Sequence, residues 1–286
     1  MTKISITLLL MFSIQVFAYR TGDTLKVFFL GNSVTNSGTS RVDEFRKFSA
    51  AKGLKVRAVL SEYGGWWADH LANPRTMAAI KDTLWDYVVL QGQSNSTSDT
   101  GSFNKGARAL IDSVRAAGAI PLLYITHSYQ SDPPVYDTAL SSWKFTMQDR
   151  INKVYLDVAT EKECDVLPVG FAHGEIRRYH PEYLLYNDYV HSNPTGGYIH
   201  GAAVFSAITG MNPIGLPNLY NLDTVTLRAL QCAAWKACLL DTLKPFILPW
   251  VKPVRPVGLH FPKKIDTMEC YLSRIQTVSA KFANDS

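Results

Sequence analysis

The segment Lys26-Val27-Phe28-Phe29-Leu30-Gly31-Asn32-Ser33-Val34-Thr35 decides how the rest of the chain is read. Leu25 to Leu30 has the near-continuous apolar character of a strand covered on both faces, the pattern of a parallel sheet. A Gly-Asn turn follows at once, and Ser33 stands where the strand gives out. Four more runs have the same look: Leu54 to Leu60, Tyr87 to Leu90, Ile120 to Ile125 and Val166 to Val169. The segments between them carry helical spacing at Val42, Phe45 and Phe48, at Ala107, Leu110, Ile111 and Val114, and at Trp143, Met147, Ile151, Val154 and Val158. Gly53 and Gly118 sit where a helix should end before the next strand. This alternation predicts an α/β fold: a parallel sheet with right-handed crossovers in a three-layer α/β/α sandwich.

In such a sheet, ligands bind outside the carboxyl ends of the strands. The residues expected there are Gly31-Asn32-Ser33, Tyr63-Gly64-Gly65, Gln91-Gly92-Gln93-Ser94-Asn95 and Thr126-His127, a polar and glycine-rich collection. A serine in the first of these turns can present its hydroxyl above the sheet while backbone N–H groups point at a substrate oxygen, as covalent acyl transfer requires. Far downstream lies Asn187-Asp188-Tyr189-Val190-His191-Ser192-Asn193-Pro194. An Asp three residues before a His can reach that ring's Nδ1–H and leave Nε2 free to take a serine proton. A helix is expected from Pro194 through Ile199, Ala203 and Ala207 to Gly210.

These blocks, in this order, resemble those of the SGNH (GDSL-like) hydrolases. The likeness extends to a largely uncharacterised bacterial branch through Phe29 to Thr35, Trp85-Asp86-Tyr87-Val88-Val89-Leu90-Gln91, Val169-Gly170-Phe171-Ala172 and Leu185-Tyr186-Asn187-Asp188 onward to Gly210, covering about Leu25 to Pro213. The resemblance implies a flavodoxin-like sandwich and hydrolysis of an ester, often an acyl group on a carbohydrate or lipid. It makes Ser33 the nucleophile, His191 the general base and then acid, and Asp188 the residue that orients His191. It gives the oxyanion hole the backbone N–H groups of Ser33 and Gly65, or Gly64 in its place. The third block departs from the family's Gly-x-Asn, so its amide donor is expected to be Gln91, with Asn95 as the alternative.

Gly92-Gln93-Ser94-Asn95 also looks like the nucleophile block of sialate O-acetylesterase-type relatives, which would make Ser94 the attacking group instead of Ser33. His70 and His127 read as structural histidines near the crevice. Tyr63, Trp66 and Trp67 are open to two readings, stacking on a sugar ring or filling the core. No cofactor and no metal are expected: CxxC pairs and His/Cys clusters with zinc spacing are missing. A nucleotide-binding reading fails because no GxGxxG or GxxxxGK[ST] follows any strand.

The ends of the chain are read separately. Lys3, the apolar run Ile4 to Phe17 and the small residues around Ala18 form an export signal, so residues 1–18 are expected to be removed and the protein to be periplasmic or extracellular, with no stable membrane insertion afterwards. Residues 19–242 are assigned to one hydrolase domain, with a helix over Asp223 to Leu243. Residues 243–286 contain Pro245, Pro249, Pro253, Pro256 and Pro262 and are expected to lie as an extended segment packed on that domain. A net charge of +5 without a dense basic block gives no reason to expect nucleic acid. Cys232 and Cys238 are about 9 Å apart along a helix and cannot bond to each other; Cys164 and Cys270 could pair together or with either of them. The functional expectation is a serine esterase that removes an acyl group, acetyl above all, from a small-molecule or glycan ester. The alternative is a saccharide-binding protein that kept the fold and lost turnover.

Overall fold

A computed structural model describes residues 24–36 and 39–240. The expected signal segment, the C-terminal extension and Cys270 lie outside the described residues. Five parallel strands form the main sheet: β1 (Leu25–Leu30), β2 (Val56–Leu60), β3 (Tyr87–Leu90), β4 (Ile120–Tyr124) and, after a two-stranded hairpin of β5 (Val135–Asp137) and β6 (Ser142–Lys144), β7 (Asp165–Leu167). Their spatial order is β2-β1-β3-β4-β7. Leu30 of β1 pairs with Leu90 of β3 on one side, and Phe29 pairs with Leu60 of β2 on the other. The chain therefore leaves β1 toward one edge and later returns to build the other half. Such a switch point, between β1 and β3, is where open α/β sheets bind their ligands.

The helices are α1 (Ser33–Asn36), α2 (Arg41–Ala51), α3 (Trp67–Ala72), α4 (Pro74–Asp82), α5 (Thr100–Ala116), α6 (Met147–Glu161), α7 (Val169–Tyr179), α8 (Pro194–Thr209) and α9 (Thr224–Leu239). One layer packs α2, α7, α8 and α9 together, and the other packs α3, α4, α5 and α6. The result is the expected three-layer sandwich with a parallel core sheet. Val27, Phe29, Val88, Val89, Leu122 and Leu123 lie at its centre and are fully buried.

Helix α8 explains how the downstream loop is brought to the sheet. Its residues from Gly196 to Thr209 are all buried, as expected of a helix that is apolar on every side and enclosed by neighbours. Gly197 and Gly201 let α2 come close: a Cβ at Gly197 would stand 2.3 Å from Thr39 Oγ1, and one at Gly201 would stand 2.5 Å from Glu44 Oε2. Into that gap fits the buried ion pair Arg41–Glu44, 2.9 Å between Nε and Oε2. Its guanidinium also reaches the Thr39 carbonyl at 2.7 Å and His200 Nδ1 at 3.2 Å. The segment after β1 is thus locked to the helix after His191.

Several boundaries differ from the sequence reading, each for a local reason. Leu54 is spent closing α2, its N–H bonded to the Ser49 carbonyl at 2.9 Å, so β2 starts at Val56. Strand β7 stops at Leu167, and Val169 opens α7 behind Pro168. Trp143 belongs to the β5–β6 hairpin, not to a helix. Helix α6 begins only at Met147, where the Asp132 carboxylate accepts the N–H groups of Thr146, Met147 and Gln148 at 2.8–2.9 Å. Gly53 and Gly118 hold φ of +72° and +82° at the expected helix ends. Cys164 and Cys238 are free and buried, which removes the suggested Cys164 pairing, while Cys232 is disulfide-bonded.

Candidate active site

Ser33 is the first residue past the β1 turn and is exposed, whereas Gly31, Asn32, Val34 and Thr35 around it are buried. The turn is built around Gly31: a Cβ there would lie 2.2 Å from Thr35 Oγ1 and 3.0 Å from Gln91 Oε1, so only glycine allows this approach. Three hydrogen bonds fix it. Asn32 Oδ1 accepts from Val34 N–H at 3.0 Å, Gln91 Oε1 accepts from Asn32 N–H at 3.0 Å, and Gln91 Oε1 also accepts the Thr35 hydroxyl at 2.8 Å. From the other side His70 Nε2 donates to the Gly31 carbonyl at 3.1 Å; burial of this ring lowers its pKa and keeps it neutral.

The loop between α7 and α8 supplies the partner. His191 Nε2 stands 2.8 Å from Ser33 Oγ, and His191 Nδ1 stands 2.8 Å from Asp188 Oδ2. The other carboxylate oxygen, Asp188 Oδ1, accepts the backbone N–H groups of Val190 and His191, each at 2.7 Å. The His191 N–H, the His191 ring and the Val190 N–H together hold the Asp188 carboxyl down to about 2. Asp188 is therefore an anion across the neutral range. Because that anion only accepts, Nδ1 carries the ring proton of neutral His191 and Nε2 faces the hydroxyl as an acceptor. The structure thus brings together Ser33, Asp188 and His191 from positions 158 residues apart in the chain.

Gly64 and Gly65 border the same turn. A Cβ at Gly64 would come within 3.5 Å of Asn32 Cα and the Gly31 carbonyl, and one at Gly65 within 2.9 Å of the Asp69 side chain. The backbone N–H groups of Ser33, Gly64 and Gly65 have no acceptor among the described residues. Gln91 does not take the place expected of it. Its side chain is 1% exposed and lies beneath the serine turn, with Oε1 held by Asn32 and Thr35 and one Nε2 hydrogen given to the Gly92 carbonyl, so it supports the turn from below. Asn95 is exposed on a single 3-10 turn, Ser94–Ser98, with no side-chain hydrogen bond among the described residues.

Ser94 is 1% exposed, and its hydroxyl reaches the His127 carbonyl at 2.9 Å and Thr126 Oγ1 at 3.2 Å. Among the described residues no imidazole or carboxylate is hydrogen-bonded to it as a base, so the rival nucleophile reading is not supported by its surroundings. Trp67 belongs to the core, its ring tilted against that of Phe103 with centroids 4.2 Å apart, while Tyr63 and Trp66 remain exposed beside Gly64 and Gly65. Two supports of the site escaped the sequence reading, the His70 bond to Gly31 and the Gln91 bonds to the turn. The position of Gln91 at a strand end signals proximity to the site, but not which way its amide turns.

No family model matches the chain, and no curated protein sequence matches it. Solved structures do. A DUF4886 family protein from Bacteroides uniformis is 19% identical, with 76% of this chain and 95% of that one covered and a TM-score of 0.63. A protein of Slackia heliotrinireducens, provisionally described as an SGNH hydrolase, is 22% identical, with 64% of this chain and 98% of that one covered and a TM-score of 0.52. An acetyl xylan esterase is 19% identical, with 64% of this chain and 100% of that one covered and a TM-score of 0.50. The strand order, the three layers and these likenesses together identify the architecture of the chain as the SGNH-hydrolase fold.

Proposed function

We propose that this chain is a serine esterase that removes an acyl group, acetyl above all, from a saccharide or similar ester. The observation that carries the reading is the unbroken hydrogen-bonded line from Ser33 through His191 to Asp188. In the reaction, Ser33 Oγ attacks the ester carbonyl while its proton passes to His191 Nε2. Asp188 stabilises the imidazolium that results. The negative oxygen of the tetrahedral intermediate lies against the N–H groups of Ser33 and of Gly65 or Gly64. Collapse releases the alcohol, which takes the proton from His191, and leaves Ser33 acylated. A water activated by the same imidazole then attacks the acyl-enzyme, the acid departs and Ser33 regains its proton.

The saccharide class is supported by the exposed rings of Tyr63, Trp66 and Tyr189, which flank the reacting groups in sequence, and by the acetyl xylan esterase that shares the fold. Export fits substrates of this kind, since acylated polysaccharides are met outside the cytoplasm. The test is hydrolysis of an activated aryl acetate and of acetylated glycans, together with labelling by a serine-directed fluorophosphonate. A burst of aryl alcohol and label on Ser33 are expected. The engaged state of Gln91 favours a second reading, a saccharide-binding protein without turnover, which predicts glycan binding that survives Ser33→Ala, no label and no hydrolysis.

A further inference from the structure

His127 and Ser94 lie outside the Ser33–His191–Asp188 line, yet a short chain of hydrogen bonds joins them to it. The Ser94 hydroxyl holds the carbonyl of His127. The His127 ring in turn lies 2.9 Å, through Nε2, from the carbonyl of Val190. A carbonyl only accepts, so Nε2 carries the proton and donates it. That carbonyl and the N–H of His191 belong to one planar peptide unit. Asp188 Oδ1 holds the nitrogen end at 2.7 Å, and His127 holds the oxygen end. The peptide that carries the proposed base is gripped from both sides.

The His127 ring has little freedom to leave this position. Its centroid lies 4.7 Å from those of His173 and His200 and 5.6 Å from that of Tyr186, and both neighbouring imidazoles are fully buried. Desolvation lowers all three imidazole pKa values, that of His127 to about 4, so the cluster is neutral at ordinary pH. The loop that bears His127 makes two more ties to the same downstream segment: Gln130 N–H to the Tyr189 carbonyl at 2.9 Å, and Tyr186 hydroxyl to the Ser128 carbonyl at 2.8 Å.

We infer that His127 is a positioning residue for the proposed hydrolysis: through the Val190 carbonyl it sets the His191 ring against Ser33, and Ser94 anchors His127 in turn. The inference rests on the esterase reading for its kinetic test and on geometry alone for its spectroscopic one. His127→Leu removes the donor and keeps an apolar filler. His127→Gln keeps a side-chain N–H that can reach the same carbonyl.

With an aryl acetate as substrate, His127→Leu is expected to lower kcat about 10- to 100-fold with KM changed less than about threefold, since a small misplacement of a reacting group costs about that much. His127→Gln is expected to recover kcat to within about fivefold of the parent, and Ser94→Ala to lose about three- to tenfold, as the more remote support. Proton NMR reads the same geometry without substrate. The low-field Nδ1 proton shared by His191 and Asp188 should persist in the parent and in His127→Gln and weaken or vanish in His127→Leu.

A parent-like kcat in His127→Leu, or equal losses in the Leu and Gln variants, would overturn the inference. So would an unchanged low-field proton in His127→Leu. If His127→Leu does not fold, Ser94→Ala decides, and an undiminished kcat there overturns the inference. Should the parent hydrolyse nothing, the esterase reading fails while the NMR comparison still settles the positioning role.

Discussion

Ser33 and Ser94 occupy nearly equivalent places in the chain and opposite places in the chemistry. Each is the third residue of a Gly-x-Ser turn that directly follows a buried parallel strand or its last polar residue, and the two strands are neighbours, with Leu30 opposite Leu90. Ser33 is exposed and faces an imidazole at 2.8 Å; Ser94 is buried and bonded to a backbone carbonyl. The difference comes from what each turn meets. The β1 turn opens at the switch point, where the loop before α8 reaches it, whereas the β3 turn is closed over by Thr126 and His127 at the end of β4. A local pattern offers a hydroxyl, and only the long-range partner makes it a nucleophile.

The sharpest way to break this contrast is to remove each hydroxyl in turn. Ser33→Ala should reduce kcat/KM on an aryl acetate by about 10³-fold or more, while Ser94→Ala stays within about tenfold of the parent. The opposite pattern would move the nucleophile to the second turn. Next in size is Asp188→Asn, which keeps the shape of the loop but removes the anion that fixes the His191 tautomer. A loss of about 10²- to 10⁴-fold in kcat is expected, with fluorophosphonate labelling slowed in parallel.

Smaller effects separate the supports of the two turns. Gln91→Leu would leave the Asn32 N–H and the Thr35 hydroxyl without their buried acceptor, at a cost of about 2–3 kcal/mol, read from urea denaturation. Acid should weaken the support that His127 gives. The folded pKa of His127 lies near 4, below the ordinary 6.5, so the unfolded chain takes up its proton first. The neutral ring's contribution is complete above pH 6.5 and falls away as pH drops toward 4, by about 2–3 kcal/mol at pH 4.5. Asp188 is displaced in the same direction but from a lower starting point, so its contribution persists down to the ordinary carboxylate range and is lost only as pH falls through about 2. Denaturation midpoints at pH 7.5 and 4.5 should therefore differ more in the parent than in His127→Gln.

Much of the architecture could be read before any coordinates. Runs such as Leu25–Leu30 and Tyr87–Leu90 are apolar without interruption because both faces of a parallel strand are covered, and their limits agree residue for residue with β1 and β3. Helix α8 announced itself by Pro194 at its start and Gly210, at φ +69°, past its end. The stretch Trp67 to Asp82 and the β5–β6 hairpin were not legible, since elements of a few residues carry too little periodicity to stand out. Val166 to Val169 misled for a related reason: an apolar run crosses from β7 into α7, and Pro168 marks the break only once the strand ladder is known to end at Leu167.

The sequence by itself determined the residue types that chemistry could use and the strand ends that would carry them, because periodicity and turn composition are local properties of the chain. Tertiary structure alone decided which way Gln91 turned, that Ser94 was enclosed, and that the imidazole following Val190 would meet Ser33. Those outcomes depend on packing between segments far apart in the chain, where Gly197 and Gly201 admit Arg41 and Glu44 and His127, held in a cluster of buried rings, takes hold of one peptide carbonyl. No local pattern encodes a contact of that kind, since its energy belongs to both partners at once.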